Sequence, residues 1–451
     1  MNIIIAGIGS VGKTLAATLN EEGHDVTLID ENEQVLSEVS SMIDVLGIVG
    51  NATSYATLQE ARIEQADLLI AVTGDDELNL LCCVMAKKDN ACYTIARVRN
   101  PIYNSELHFL KDVFNISMII NPELEAASEI SRLLRVPSAL AIDSFAQGKA
   151  EIIEYKIKNN PELHTMRLED FSKKITCEYL VVAIQRQEEL IIPTGQTILN
   201  NGDCIYFITA SNSVNQLFEA LGVATKAVKK CMMIGGGTLS YYLADLLLKS
   251  GIAVIIIEKD LQRCEELSVL LPKAIIINGD ATEETLLLEE GIKTTDAFVS
   301  LTELDEENIM LSLYANKVTD AKIVTKVDHS IFDGIIKDLD IGSVITLDEI
   351  TTNQIISFVR SIQNTVGNNV EKLYKIVNNK VEALEFKVSE HAKCIKIPLV
   401  NLKLKEKILI GCINRGGKIV IPTGKDMILS GDTIVVITTE KGFNDIDDIL
   451  Y

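Results

Sequence analysis

The chain has 451 residues, room for two to four domains of about 100–200 residues each. Asp and Glu number 64 against 42 Lys and Arg, a net charge of -22, which excludes a nucleic-acid binder or a protein adsorbed on anionic lipid. Hydrophobic residues make up 47% and charged residues 24%, as in a folded globular protein, and no apolar run approaches the roughly 20 residues of a membrane-spanning helix.

The opening Met-Asn-Ile-Ile-Ile-Ala-Gly is too short and too uncharged for a secretory signal, so a cytoplasmic location is expected. From residue 1 to about 136, short apolar runs alternate with longer helical stretches. The runs are Ile3–Ala6, Val26–Ile29, Val45–Val49, Leu68–Val72, Thr94–Val98 and Ile116–Ile120. Their residues are apolar continuously rather than at every other position, which predicts βαβ units and strands buried on both faces of a doubly wound parallel sheet. Cys82 and Cys83 fall inside an apolar helical stretch and are expected in the core; the nine cysteines contain no Cys-x-x-Cys pair and fit neither a disulfide nor a zinc pattern.

Leu124, Ala127, Ile130, Leu133 and Leu134 lie at helical spacing, and Pro137 ends the segment. This helix packs either on its own core or on another subunit, and Ile355, Ile356, Val359 and Ile362 repeat it later. From about 140 to 222 the texture changes to β-rich runs, Val181–Ile184 and Ile205–Thr209, joined by turns at Pro193, Gly195 and Gly202-Asp203. The pattern then starts again. Gly7 recurs as Gly235 and Asp30 as Glu258; Gly50 to Thr53 recur as Gly279 to Thr282, Asn79 as Asn308 and Arg97 as Lys326; and two Ile-Pro-Thr-Gly…Gly-Asp stretches match across the small lobes. The expected fold class is α/β: two doubly wound Rossmann-type parallel-sheet domains, 1–136 and 227–364, each followed by a small α+β domain, 137–226 and 365–451.

Gly7-Ile8-Gly9-Ser10-Val11-Gly12 follows an apolar strand and opens a helix, the setting in which a Gly-x-Gly-x-x-Gly motif binds a dinucleotide. The glycines permit a tight turn, close approach of a pyrophosphate and close helix–strand packing, and the helix N-terminus meets the phosphate charge. Asp30 ends the next strand, where its carboxylate accepts ribose hydroxyls and repels a 2′-phosphate, favouring NAD or an adenosine nucleotide over NADP; its alternative is a helix N-cap. Gly235-Gly236-Gly237-Thr238-Leu239-Ser240 with Glu258 forms a less complete second copy, because Ser240 replaces the third glycine. Asn51 with Thr53, and Asp280 with Thr282, either reach an adenine or ribose or only shape their turn. Thr73, Gly74 and Thr302 end the fourth strands at the ligand crevice. Asp75 to Glu77 and Asp305 to Glu307 complement helix dipoles, with a divalent-metal site as the second reading. Arg97 and Lys326 either neutralise phosphate or form surface ion pairs.

These motifs, with Ala96-Arg97-Val98-Arg99, resemble the RCK domains, also called KTN domains, that regulate potassium channels and transporters. The resemblance covers essentially the whole chain. It implies a non-enzymatic cytoplasmic regulator that binds NAD, NADH or adenine nucleotides (ATP, ADP) and assembles as a homo-oligomeric ring, a dimer of two-unit chains or a tetramer, beneath a membrane-embedded potassium-conducting partner. It also implies ligand contacts from Gly7 to Gly12, Asp30, Asn51, Thr73, Gly74, Arg97 and Val98, and from Gly235, Gly236, Gly237, Thr238, Leu239, Glu258, Asp280, Thr302 and Lys326. No metal ligand or catalytic residue is expected. The alternative is an NAD-dependent dehydrogenase, which normally needs a positioned acid or base; His24, His108, His164, His329 and His391 have no counterparts between the repeats.

Overall fold

The computed structural model describes all residues except 89–91, 105, 158–159, 161–162, 176, 188, 224–226, 329–335, 337–338, 365–369, 377–380, 406, 441–442 and 444. The apolar runs of the first unit become six parallel strands: β1 (Asn2–Ala6), β2 (Asp25–Asp30), β3 (Leu46–Val49), β4 (Leu68–Ala71), β5 (Tyr93–Arg97) and β6 (Met118–Ile120), in the order β3-β2-β1-β4-β5-β6. Helices cover both faces, so β4 is buried at every residue. The order reverses between β2-β1 and β4, and such a switch point opens a crevice at the carboxyl ends of the strands.

The small lobe is antiparallel: β7 (Ala141–Phe145), β8 (Ala150–Lys156), β9 (Tyr179–Arg186), β10 (Glu189–Ile191) and β11 (Cys204–Ala210), in the order β10-β9-β11-β8-β7. The second unit repeats both sheets. Strands β12 (Lys230–Ile234), β13 (Ala253–Glu258), β14 (Ile275–Asn278), β15 (Ala297–Ser300), β16 (Lys322–Lys326) and β17 (Ser343–Ile345) are parallel in the order β14-β13-β12-β15-β16-β17. Strands β18 (Val370–Ile376), β19 (Val381–Lys387), β20 (Ile408–Arg415), β21 (Lys418–Val420) and β22 (Thr433–Thr438) are antiparallel in the order β18-β19-β22-β20-β21.

Helix Pro122–Arg135 starts where Asn121 caps it, its Oδ1 accepting Leu124 N at 3.0 Å, and where Pro122 supplies a preset φ. It packs on helix Thr238–Lys249 of the second unit. Helix Leu347–Asn364 packs reciprocally on helix Ser10–Glu21 of the first, and the two crossing helices touch each other. One core therefore unites the first small lobe with the second parallel sheet, through Ile130, Leu134, Phe171, Phe207, Leu243 and Met233. Another unites the first parallel sheet with the second small lobe, through Ile5, Leu15, Ile355, Val359, Phe386 and Val436. The two antiparallel sheets meet face to face over Phe145, Ile152, Tyr206, Val381 and Val435. A buried ion pair ties the second arrangement: Arg360 Nη2 donates to Glu22 Oε1 at 2.6 Å, with Glu382 Oε2 at 3.6 Å from Nη1. Among the described residues no helix is long and apolar enough to cross a membrane.

Candidate functional site: two clefts at the carboxyl ends of the parallel strands

Each parallel sheet carries one cleft at its switch point, of 330 Å³ in the first unit and 680 Å³ in the second, within the size range of small-ligand sites. Gly7 begins the first. Its φ of +96° is open to glycine, and a Cβ there would stand 2.8 Å from the Thr73 backbone. Gly12 packs against the Gly7 carbonyl, where a Cβ would clash outright. Gly9 has an ordinary φ of -71° and faces open space, so its backbone is bare toward the cleft.

Asp30 is not a helix cap; Asn32 caps helix Glu33–Met42. The Asp30 carboxylate instead grips the loop, Oδ2 accepting Ile8 N at 2.7 Å and Oδ1 accepting Asn32 N at 2.9 Å. Two carboxylate oxygens have about four lone-pair sites, so acceptor capacity remains for ribose hydroxyls. In the second unit Glu258 Oε2 accepts Gly236 N at 2.5 Å and Oε1 accepts Asp260 N at 2.7 Å. The longer acid is matched by a shorter loop residue: a Cβ on Gly236 would meet Leu267 at 2.7 Å and Glu258 at 3.0 Å, where the first unit has Ile8 and Asp30. Ser240 is also accommodated, its Oγ donating to Gly235 O at 2.5 Å.

Asn51 and Asp280 line their clefts and shape their turns at once. Asn51 Oδ1 accepts Thr53 N at 2.8 Å and Thr53 Oγ1 at 2.6 Å. Asp280 Oδ1 makes the equivalent bonds to Thr282, and the Thr282 hydroxyl holds the Asp280 carboxyl below its usual range. Thr73, Gly74 and Arg97 line the first cleft and Thr302 the second. Arg97 is mostly buried, with Nη2 on Thr73 O at 2.6 Å, and burial followed by the neighbouring Arg99 pulls its pKa down. Its Nε–H is buried without a partner.

Four residues implied as contacts do not wall the clefts. Val98 is fully buried beneath helix Asp76–Ala86, because its side chain points into the core where Arg97 points out. Gly12 and Leu239 lie in the first turns of their helices, packed rather than open. Lys326 is 8% exposed and held by Asp328, 2.5 Å from its Nζ.

Families of TrkA-N domains match residues 3–122 and 231–347, and families of TrkA-C domains match 152–222 and 383–451. The chain belongs to the TrkA family. It is 30% identical to a Trk system potassium uptake protein TrkA homolog 1 of Methanosarcina mazei over 99% of both chains. It is 31% identical to a Trk system potassium uptake protein TrkA of Haemophilus influenzae, over 98% of this chain and 96% of that one. Among solved structures, a GsuK channel bound to NAD superposes with a TM-score of 0.63 at 16% identity, over 97% of this chain and 76% of that chain. GsuK bound to ADP gives 0.51 at 14%, over 80% and 69%. The fold is the shared property.

Within the two TrkA-N domains the structure adds residues to which sequence reasoning gave no role. Asn79 and Asn308, fully buried, clamp each cleft. Asn79 Oδ1 accepts Thr73 N and Oγ1, both at 2.8 Å, while Nδ2 donates to Arg97 O at 2.9 Å. Asn308 does the same for Thr302 N and Lys326 O. Their recurrence in the repeat was the available signal. The acidic helix starts are clamps too: Asp76 Oδ2 accepts Arg99 N and Asn100 N at 2.8 Å, and Asp305 accepts Asp328 N. Arg263, where the first unit has Val35, lines the second cleft with Nε on Gly236 O at 2.7 Å. Arg99 Nη2 donates to Gly74 O at 2.6 Å, and Arg99 O accepts Tyr242 Oη from the other unit at 2.9 Å. No described histidine lines either cleft; His329 lies outside the described residues.

Proposed function

We propose that this chain is the peripheral, nucleotide-binding regulatory subunit of a potassium uptake system, acting on a TrkH-like membrane-embedded potassium-conducting subunit. The observation that carries the reading is the pair of clefts in which a carboxylate at the end of the second strand holds a glycine loop, with open space beside Gly9 and Gly237 at the start of a helix. That arrangement suits the ribose and phosphates of NAD, NADH, ATP or ADP. Full-length likeness to proteins named for potassium uptake supplies the transport context.

Regulation follows if the ligand has different affinities for two shapes of the molecule. Each phosphate-facing helix packs on a crossing helix from the other unit, so a shift of either loop is passed into the shared cores. A net charge of -22 attracts the chain to the Lys- and Arg-rich cytoplasmic face of a membrane partner, under which it assembles as a ring. Potassium flux through the reconstituted partner, with and without this chain at fixed nucleotide, tests the proposal: a nucleotide-dependent difference is expected, and equal flux in all conditions contradicts it.

A further inference from the structure

The two clefts differ in a way that the duplication alone does not require. The first has Asp30 and Glu31 on its wall against Arg97, with Arg99 anchored beside it on Gly74 O. The unpartnered Nε–H of Arg97 is a buried cationic donor, and such a donor is costly unless an acceptor arrives. Glu123 and Asp348 act on Arg97 from outside, and Asp76 stands 3.7 Å from Arg99, but none of these acids lines the cleft.

The second cleft is larger and more acidic. Glu258, Asp260, Asp280, Glu303 and Glu307 line it, against Lys259 and Arg263. Its counterpart of Arg97, Lys326, is already neutralised by Asp328, which stands where the first unit has Arg99. Arg263 is occupied with Gly236 O and with Glu266 at 2.9 Å.

We propose that the two clefts divide the ligands: the first takes a nucleoside di- or triphosphate, and the second takes NAD. This rests on the nucleotide reading above and deepens it. A terminal phosphate chain brings several negative charges and free oxygens to the Arg97 guanidinium on the wall of the first cleft, a group that recognises phosphate geometry. Both phosphates of NAD are internal and its nicotinamide ring is cationic, so it carries little net charge into the acidic second cleft and uses the greater volume for its second nucleoside. Like charge close at hand discriminates against the wrong ligand.

The test is a matched pair of substitutions, Gly9→Glu and Gly237→Glu. Both glycines have ordinary negative φ, -71° and -62°, and a Cβ at either meets nothing within 4 Å, so a carboxylate enters the phosphate space without straining the loop. Titration calorimetry with ATP and with NAD is run on the full-length chain and on each variant, with circular dichroism to confirm folding. Gly9→Glu should weaken ATP by at least about tenfold and leave NAD within about threefold, and Gly237→Glu should do the reverse. Arg97→Gln should weaken ATP alone. Loss of both ligands in one variant, or the opposite pairing, overturns the division while leaving nucleotide binding intact. Binding of neither ligand to the unsubstituted chain overturns both readings.

Discussion

Gly12 and Ser240 hold the same place in the two repeats under different local geometry. At Gly12 the helix presses on the Gly7 carbonyl, whereas Ser240 sits where its own hydroxyl bonds Gly235 O. Gly12→Ala should therefore cost about 1–3 kcal/mol through overpacking, and Ser240→Ala only about 1 kcal/mol for the lost hydrogen bond. Urea midpoints of the two variants check the order. The glycines and the acids were legible in the sequence because their chemistry is local: a positive φ or a close approach demands glycine, and a strand-end carboxylate faces the crevice. The exchange of Ile8 and Asp30 for Gly236 and Glu258 was not legible, since it depends on how far a side chain reaches across the loop. Val98 entered the site only through the family resemblance, and the alternation along the chain end turns it into the core.

At the scale of elements, the spacing of Ile130, Leu133 and Leu134 disclosed a helix but not its partner, which lies more than a hundred residues away in helix Thr238–Lys249. Apolar periodicity states that a face is buried and is silent on what buries it. Two contacts now make the partnership testable. Tyr242 Oη receives Asn121 Nδ2 at 3.0 Å and donates to Arg99 O, so Tyr242→Phe should cost about 0.5–1.5 kcal/mol in denaturant unfolding. Arg360→Met removes a buried cation from Glu22 and Glu382 and should cost about 3–5 kcal/mol, because it leaves a buried carboxylate uncompensated. Adding Glu382→Leu to Arg360→Met should recover part of that loss, and a double variant no more stable than Arg360→Met would contradict the ion-pair account.

Across the whole molecule, acidity shapes the response to pH. Burial is the main force that pushes Glu129 up to about 8, Glu154 to about 7 and Asp143 to about 6. Arg132 opposes the shift at Glu129 and Asp143, and the Tyr206 hydroxyl opposes it at Glu154. Raised carboxyls mean that the folded chain holds more protons than the unfolded one, so this contribution is complete below the unfolded carboxyl range and is lost as pH rises through the folded values. The melting temperature at constant ionic strength should fall between about pH 5 and about pH 8, and Glu129→Gln should flatten that slope. The tandem plan of four lobes was readable from the repeat, but the crossed pairing of each small lobe with the other unit's sheet was not, because both pairings bury the same apolar faces. The central claim is that the clefts are nucleotide sites, and calorimetric titration of NAD and ADP into the full-length chain tests it most directly, with Asp30→Ala/Glu258→Ala as the control. Saturable heat in the unsubstituted chain, lost in the double variant and accompanied by about 2.7 kcal/mol of stabilisation at about 100 times the dissociation constant, is the predicted result; no saturable heat and no thermal shift with either nucleotide would contradict it.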